Sequence, residues 1–304
     1  MLKDVIGQQK LKNEIMIAIK AAKFRKEPLG HIFLTGVGGL GKTFLLNAIC
    51  DEIKSHLIIT QGKRLSSIKA VKEFFLNGKE SAGETPVFYV IDEIHEMTIS
   101  AQEELYYPMD KGVILTTSDP ISLGEFTLAG ATTDPHELNG KSLINRFDHV
   151  WELQELTTAD LMVIVASYFE KEKMLCGFNG VLEIANRCKG LPRLALCYAA
   201  RARDRAQCND RHVVTKEDVL EVFKSLEIDK IGLDKNQKEY LTILNKYGKP
   251  LGIESISGRL DLPLEQVKYM IEPYLRQKGM VTSSTQGREI TTKGVEHILN
   301  GEII

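Results

Sequence analysis

No run in this 304-residue chain approaches the roughly 20 apolar residues that a membrane span requires, and the N-terminus lacks the uninterrupted apolar core of a signal peptide. A cytoplasmic protein without membrane contact is the expectation. The five cysteines, Cys50, Cys176, Cys188, Cys197 and Cys208, form no C-x-x-C pair and no Cys/His spacing suited to zinc, so they read as reduced core or surface thiols. Charge of neither sign dominates. A formal net charge of -2 excludes a generally basic nucleic-acid coat while leaving room for a local basic face. Low-complexity segments and fixed-period repeats are missing too. What the chain does have is 43% hydrophobic content, enough for ordinary packed cores in two or three domains.

The stretch that organises the rest is Gly36-Val37-Gly38-Gly39-Leu40-Gly41-Lys42-Thr43. It follows the apolar run His31-Ile32-Phe33-Leu34-Thr35 and precedes Phe44-Leu45-Leu46, which fits a G-x-x-x-x-G-K-[ST] phosphate loop between a strand and a helix. Glycines have no Cβ to block backbone N–H groups from phosphate oxygens. The helix beginning near Lys42 points its positive dipole end at the same phosphates. The pattern assigns Lys42 to the β/γ-phosphates and the Thr43 hydroxyl to Mg²⁺. A Gly-rich turn that merely holds a Lys-Thr pair is the plainer alternative, and the flanking pattern disfavours it.

Ahead of the loop, Leu11, Ile15, Ala18, Ile19 and Ala22 recur at helical spacing over Leu11 to Phe24. After it, Leu57-Ile58-Ile59-Thr60 is expected as a short buried strand. Ile68, Val71, Phe74, Phe75 and Leu76 are expected to form a helix stopped by Asn77-Gly78. Pro86-Val87-Phe88-Tyr89-Val90-Ile91-Asp92-Glu93 then runs an apolar stretch into two acids, the pattern of a buried parallel strand whose carboxyl end delivers charge to a crevice. In P-loop proteins this is where Asp92 holds Mg²⁺, usually through water, and Glu93 polarises the attacking water. A strand ended by a solvated acidic turn is the bland counterpart. A helix near Ser100 to Tyr106 leads into Asp110 to Gly124, which reads as a small hairpin or turn-rich excursion. Phe126 to Thr133 is the next buried strand, ending in two hydroxyls able to sense a γ-phosphate, and Arg146 stands just before Phe147.

From Leu153 the strand signals stop and helical periodicity takes over, with helices over Gly180 to Lys189, Pro192 to Cys208 and Thr215 to Leu226. Arg201, Arg203 and Arg205 on the second of these read as a solvated face or subunit contact rather than a DNA site. Ile228 to Asp234 reads as a short polar linker. Beyond it, Gly252 to Arg259 and Leu264 to Gly279 form a helix-turn-helix joined by Leu260-Asp261-Leu262-Pro263. Two strands around Ser283-Ser284-Thr285-Gln286-Gly287 complete a winged helix. Its cations Arg288, Lys268 and Arg276 suit DNA phosphates, and protein docking stands as an even alternative.

On these residues the chain resembles the RuvB family, the AAA+ ATPase motor of Holliday-junction branch migration, over nearly its whole length. The resemblance is carried by Val5-Ile6-Gly7-Gln8, Ala21 to Glu27, Gly39-Leu40-Gly41-Lys42-Thr43, Asp92-Glu93-Ile94-His95, Phe126 to Thr133, and Arg146-Phe147. It continues through Gly190-Leu191-Pro192-Arg193, Gly232-Leu233-Asp234, Glu272-Pro273-Tyr274-Leu275 and Gln286-Gly287-Arg288. The implied fold is α/β: an AAA+ P-loop ATPase domain over 1–152, an all-α lid over 153–228 and a winged-helix DNA-binding domain over 229–304. The implied cofactors are ATP/ADP and Mg²⁺. Thr133 corresponds to the sensor-1 hydroxyl, Arg146 to the finger that reaches a neighbouring subunit's ATP, and Arg193 to the sensor-2 arginine. The implied nucleotide contacts are Val5, Ile6, Gly36, Gly38, Gly39, Leu40, Gly41, Lys42, Thr43, Phe44, Pro192 and Arg193, with Thr43 and Asp92 on the metal. An arginine used in trans completes each site only at a subunit boundary, so the resemblance implies a ring, hexameric in this family, acting on duplex DNA and four-way junctions.

The chain departs from the family in several places. It begins only a few residues before the adenine-contacting segment, Val37-Gly38 replace two prolines, Val5 replaces a tyrosine, Ile144 an arginine and Leu156 a lid tyrosine. The excursion from Asp110 to Gly124 is shorter than the family hairpin that docks a RuvA-type partner, as in a shortened relative of phage or mobile-element kind. Two rival functions share parts of the pattern: an ATP-gated loader or initiator, and a DNA-binding regulator with a relic nucleotide site. Intact Lys42, Asp92, Glu93 and Arg146 argue against a relic.

Overall fold

The computed structural model describes residues 1–116, 119–138 and 141–299. The chain divides into two compact units, Met1–Thr157 and Thr158–Ile304.

The first unit is built on a parallel five-stranded sheet in the order β2-β3-β6-β1-β7. In chain order its elements are helix α1 (Gln9–Arg25), strand β1 (Ile32–Thr35), α2 (Lys42–Ile53), β2 (His56–Gln61), α3 (Ile68–Ala82) and β3 (Val87–Asp92). Then come α4 (Ile99–Glu104), α5 (Tyr106–Lys111), the short strands β4 (Val113–Ile114) and β5 (Ile121–Ser122), β6 (Phe126–Thr132), α6 (Lys141–Ile144) and β7 (His149–Glu152). Strands β3 and β6 are inner strands, β6 buried throughout and β3 as far as Ile91, because both faces are covered. Their register sets Val87 beside Phe126 and Tyr89 beside Leu128, and on that face these side chains join Val71 and Phe75 of α3 in one core. Tyr89 meets Phe75 edge-on at 4.8 Å, and its Oη donates to the Phe75 carbonyl at 2.7 Å, so the buried hydroxyl keeps a partner. Helix α2 packs against β2, β3 and β6, which fixes the phosphate loop over the carboxyl edge of the sheet.

Two local expectations are corrected here. Strand β2 is at the edge of the sheet rather than buried, with Ile59 43% exposed. Helix α3 does not stop at Asn77-Gly78 but continues to Ala82. Gly78 is needed inside it because a Cβ there would lie 2.4 Å from the Tyr89 ring. The expected excursion after Asp110 is the two-residue antiparallel pair β4–β5, with Leu115 and Ile121 exposed; Thr117 and Ser118, also within that stretch, lie outside the described residues.

The second unit begins with α7 (Thr158–Lys171), β8 (Leu175–Cys176), α8 (Phe178–Arg187), α9 (Pro192–Gln207), β9 (Val213–Val214) and α10 (Lys216–Ser225). The parallel pair β8–β9 is a small addition to the expected all-helical pattern. Arg203 pairs with Glu172 and Asp204, and Arg205 with Glu221, so these two α9 arginines belong to a solvated ion-pair face. The rest is α11 (Lys235–Tyr247), α12 (Ile253–Leu260), α13 (Leu264–Gln266), a π-turn over Val267–Ile271, α14 (Glu272–Gln277), β10 (Val281–Ser284), β11 (Gly287–Ile290) and α15 (Thr292–Leu299). This is the winged helix, its core formed by Tyr240, Leu241, Leu244, Ile256, Val267 and Leu275.

The segment from Ile228 to Asp234 is not a solvated linker. Asp229 is fully buried, its carboxylate accepting from the Ile231 and Leu233 amides at 3.0 and 2.8 Å and lying 2.8 Å from His297 Nε2. Its carbonyl accepts from Arg187 Nε at 2.9 Å. Gly232 passes so close that a Cβ would sit 2.6 Å from the Arg187 carbonyl, at a φ of +87° that favours glycine in any case.

Candidate nucleotide site

The phosphate loop leaves β1 after Thr35 and turns through Gly36, Gly39 and Gly41, all at positive φ, before α2 starts at Lys42. That sequence of left-handed glycines aims the first amides of α2 outward from the helix end. Lys42 is buried, and its Nζ donates to the Gly36 carbonyl at 2.8 Å, so the ammonium is held over the loop. Gly38 faces Thr133: a Cβ on it would meet the Thr133 methyl at 3.8 Å.

Register brings the acids to the same edge. Strand β3 ends at Asp92, and Thr43 Oγ1 donates to Asp92 Oδ2 at 3.3 Å across the gap between α2 and the sheet. A hydroxyl beside a carboxylate is an all-oxygen donor pair, the kind that a hard cation such as Mg²⁺ accepts while keeping waters and phosphate oxygens as its other ligands. Glu93 follows in the left-handed region, φ +48°, a conformation disfavoured for a side chain of this kind that turns the chain out of β3. Its Oε2 accepts from both the amide and the hydroxyl of Thr133, at 2.9 and 3.0 Å. His95 Nδ1 stands 3.4 Å from the same oxygen and 2.8 Å from Thr132 Oγ1, while the Asp134 amide donates to that hydroxyl at 3.0 Å.

Family models match consecutive stretches of the chain: the Holliday junction DNA helicase RuvB P-loop domain over residues 1–153, the RuvB AAA lid domain over 157–229 and the RuvB C-terminal winged helix domain over 230–299. The Holliday junction branch migration complex subunit RuvB of Pseudothermotoga lettingae is 35% identical over 98% of this chain and 88% of its own length. The chain belongs to the RuvB family. It is therefore a P-loop ATPase with a nucleotide site. The RuvB of Fervidobacterium nodosum is 32% identical over 98% of this chain and 87% of its own length. Among solved structures, the Thermotoga maritima RuvB Holliday junction branch migration motor superposes with a TM-score of 0.83 at 29% identity, covering 97% of this chain and 95% of that one.

The other residues singled out by the RuvB resemblance fall in three places. Val5 is buried and half-buried Ile6 follows it, in a segment tied down by Lys12 Nζ to the Val5 carbonyl at 2.7 Å and by Gln8 to the backbone of Gln154. Leu40 is buried under the loop, whereas Phe44 is 56% exposed beside it. Arg146 lies with its guanidinium 4.2 Å from the Tyr106 ring centroid, 3.4 Å from Asp110 Oδ2 and 3.2 Å from the Ser142 carbonyl; its Nε is buried without a hydrogen-bond partner. Pro192 opens α9 and Arg193 is exposed on its first turn, both in the second unit.

The three winged-helix cations differ. Lys268 is exposed over the Tyr269 ring, and Arg276 is half exposed. Arg288 is not a free wing cation. It sits low on β11, its Nε donating at 3.0 Å to Glu272, which is only 3% exposed and also accepts from Tyr240 Oη. Its backbone is paired both ways with Leu251. Of the two hydroxyls expected at the end of β6, Thr133 meets Glu93 and Thr132 meets His95, a histidine three residues after Asp92 to which the sequence alone assigns no role.

Proposed function

We propose that this chain is an ATP-hydrolysing ring motor that translocates duplex DNA and drives branch migration of four-way Holliday junctions. The reading rests above all on one oxygen of Glu93, met by Thr133 just past the end of the neighbouring strand, with Lys42, Thr43 and Asp92 at the same sheet edge. This is the arrangement that phosphoryl transfer needs: positioned cations, a metal-holding carboxylate and a carboxylate aimed at water.

The roles follow from the chemistry. Loop amides and Lys42 hold the β/γ-phosphates, and Val5 and Ile6 offer apolar contact to the base. Thr43 and Asp92 hold Mg²⁺, whose charge offsets that of the phosphates. Glu93 polarises the attacking water once its oxygen leaves Thr133, and the Thr133 hydroxyl then turns to the γ-phosphate. Arg146 completes a neighbour's site and Arg193 its own chain's, so that hydrolysis requires a ring, hexameric by analogy. We divide the chain functionally into an ATPase domain over 1–152, a lid over 153–228 and a DNA-binding winged helix over 229–304, with Lys268, Arg276 and, less directly, Arg288 toward DNA. The exposed Leu115 and Ile121 of the short hairpin are what a RuvA-like partner would grip.

A synthetic four-way junction with labelled arms, incubated with ATP and Mg²⁺ with and without a RuvA-type protein, tests the proposal. Strand exchange dependent on ATP supports it. Nucleotide turnover with ATP-dependent capture of another protein, and no junction movement under either condition, favours the loader.

A further inference from the structure

Beside the carboxylate cluster, two exposed cations stand on a fixed mount. Strand β2 ends at Gln61, paired in register with Asp92, and the chain then makes a single 3-10 turn over Gly62–Arg64. Gly62 is buried with its α-carbon against Glu93: a Cβ there would come within 2.2 Å of the Glu93 carbonyl oxygen. The far side of the turn is pinned as well. The Leu65 amide donates to the Gly62 carbonyl at 2.9 Å, and the Leu65 side chain is buried. Thr98 Oγ1 donates to the Ser66 carbonyl at 3.2 Å, and Ser67 caps α3 by accepting from the Ala70 amide at 3.2 Å. Between these anchors Lys63 and Arg64 both face solvent. Glu96 is exposed on the neighbouring turn Ile94–Glu96, yet among the described residues neither cation is drawn into an ion pair.

Two adjacent uncompensated cations on a backbone that is already ordered suit an extended polyanion. The turn gives up little conformational entropy on binding, and the guanidinium of Arg64 matches a phosphate bidentately. We propose that Lys63 and Arg64 are a second duplex-DNA phosphate contact of this chain, mounted through Gly62 on the backbone of Glu93, so that DNA engagement is felt where ATP is hydrolysed. This rests on the reading of the chain as a DNA motor.

The test compares the full-length K63A/R64A variant with the unaltered chain for affinity to a fluorescent duplex across a salt series, and for ATPase activity with and without that duplex. Expected are an affinity loss of about tenfold with a shallower salt dependence, loss of the DNA-stimulated share of ATPase, and basal turnover within about twofold. The charge-keeping exchange K63R/R64K should retain duplex binding. If the unaltered chain binds duplex and K63A/R64A binds equally well with the same salt slope, this contact is wrong and the motor reading stands. An unaltered chain with no affinity for duplex defeats the motor reading and the contact together. Basal ATPase collapsing in K63A/R64A also overturns the contact, since it would make the two cations part of the nucleotide site.

Discussion

Thr133 gives both its backbone amide and its hydroxyl to the same carboxylate oxygen of Glu93, at 2.9 and 3.0 Å. On the proposed roles, the group that activates water and the group that senses the γ-phosphate restrain each other until nucleotide separates them. Hydrolysis is then gated by a local exchange of hydrogen bonds.

Glu93→Gln keeps the volume and leaves a side-chain oxygen able to accept from Thr133, so only the charge is lost. Affinity for ATP is expected to stay within about threefold while turnover falls by about 100-fold or more. Binding of a fluorescent ATP analogue alongside phosphate release measures both, and undiminished turnover would remove Glu93 from the chemistry.

Arg146 rests on Tyr106 beside Asp110, and none of the groups around it belongs to the phosphate loop. Arg146→Ala should therefore fold and bind nucleotide but turn over about 1000-fold more slowly. Mixing it with Glu93→Gln chains should restore part of the rate, because some boundaries then pair an intact glutamate with an intact arginine. No regain at any mixing ratio would mean that the arginine serves its own chain.

Much of this was legible from the residues alone. The strand, loop and helix around Lys42 and the apolar run ending at Asp92 follow local rules that tertiary context does not overturn. Three departures share one cause, which is contact with residues distant in sequence. Gly78 looks like a helix stop until the Tyr89 ring is seen to occupy the place of its Cβ. Asp229 helps its segment look like a short polar linker, although its carboxylate is consumed by two amides and His297. Arg288 looks like a wing cation because nothing in the linear sequence reveals Glu272 beneath it.

That pair separates two kinds of DNA-binding defect. Arg288→Ala leaves buried Glu272 facing Arg276 at 3.7 Å and is expected to destabilise the winged helix by about 2 to 3 kcal/mol. Lys268→Ala should weaken duplex binding with no shift in melting temperature. Calorimetry run beside a binding titration distinguishes the two, and an unchanged melting temperature in Arg288→Ala would show the ion pair to be dispensable.

Acid should loosen the lid through Asp218. Its carboxylate accepts from both terminal nitrogens of Arg211 at 2.7 and 2.6 Å and from the Thr215 amide at 2.9 Å, and the Arg211 guanidinium, ahead of the Thr215 cap, holds its pKa down at about 2 from 3.8. Because the folded value is depressed, the stabilisation is complete above the unfolded value and disappears as the pH falls through about 2. Asp218→Ala is expected to cost about 2 kcal/mol at neutral pH, with the gap to the unaltered chain closing in that acid window. A gap independent of pH would assign the cost to packing.

The buried aspartate between α10 and α11 has a mechanical consequence. With its carboxylate and carbonyl both committed, to Ile231, Leu233 and His297 on one side and to Arg187 on the other, the joint has no slack. A rotation imposed on α8 is therefore expected to reach α15 as a rotation, the behaviour of a lever and not of a tether.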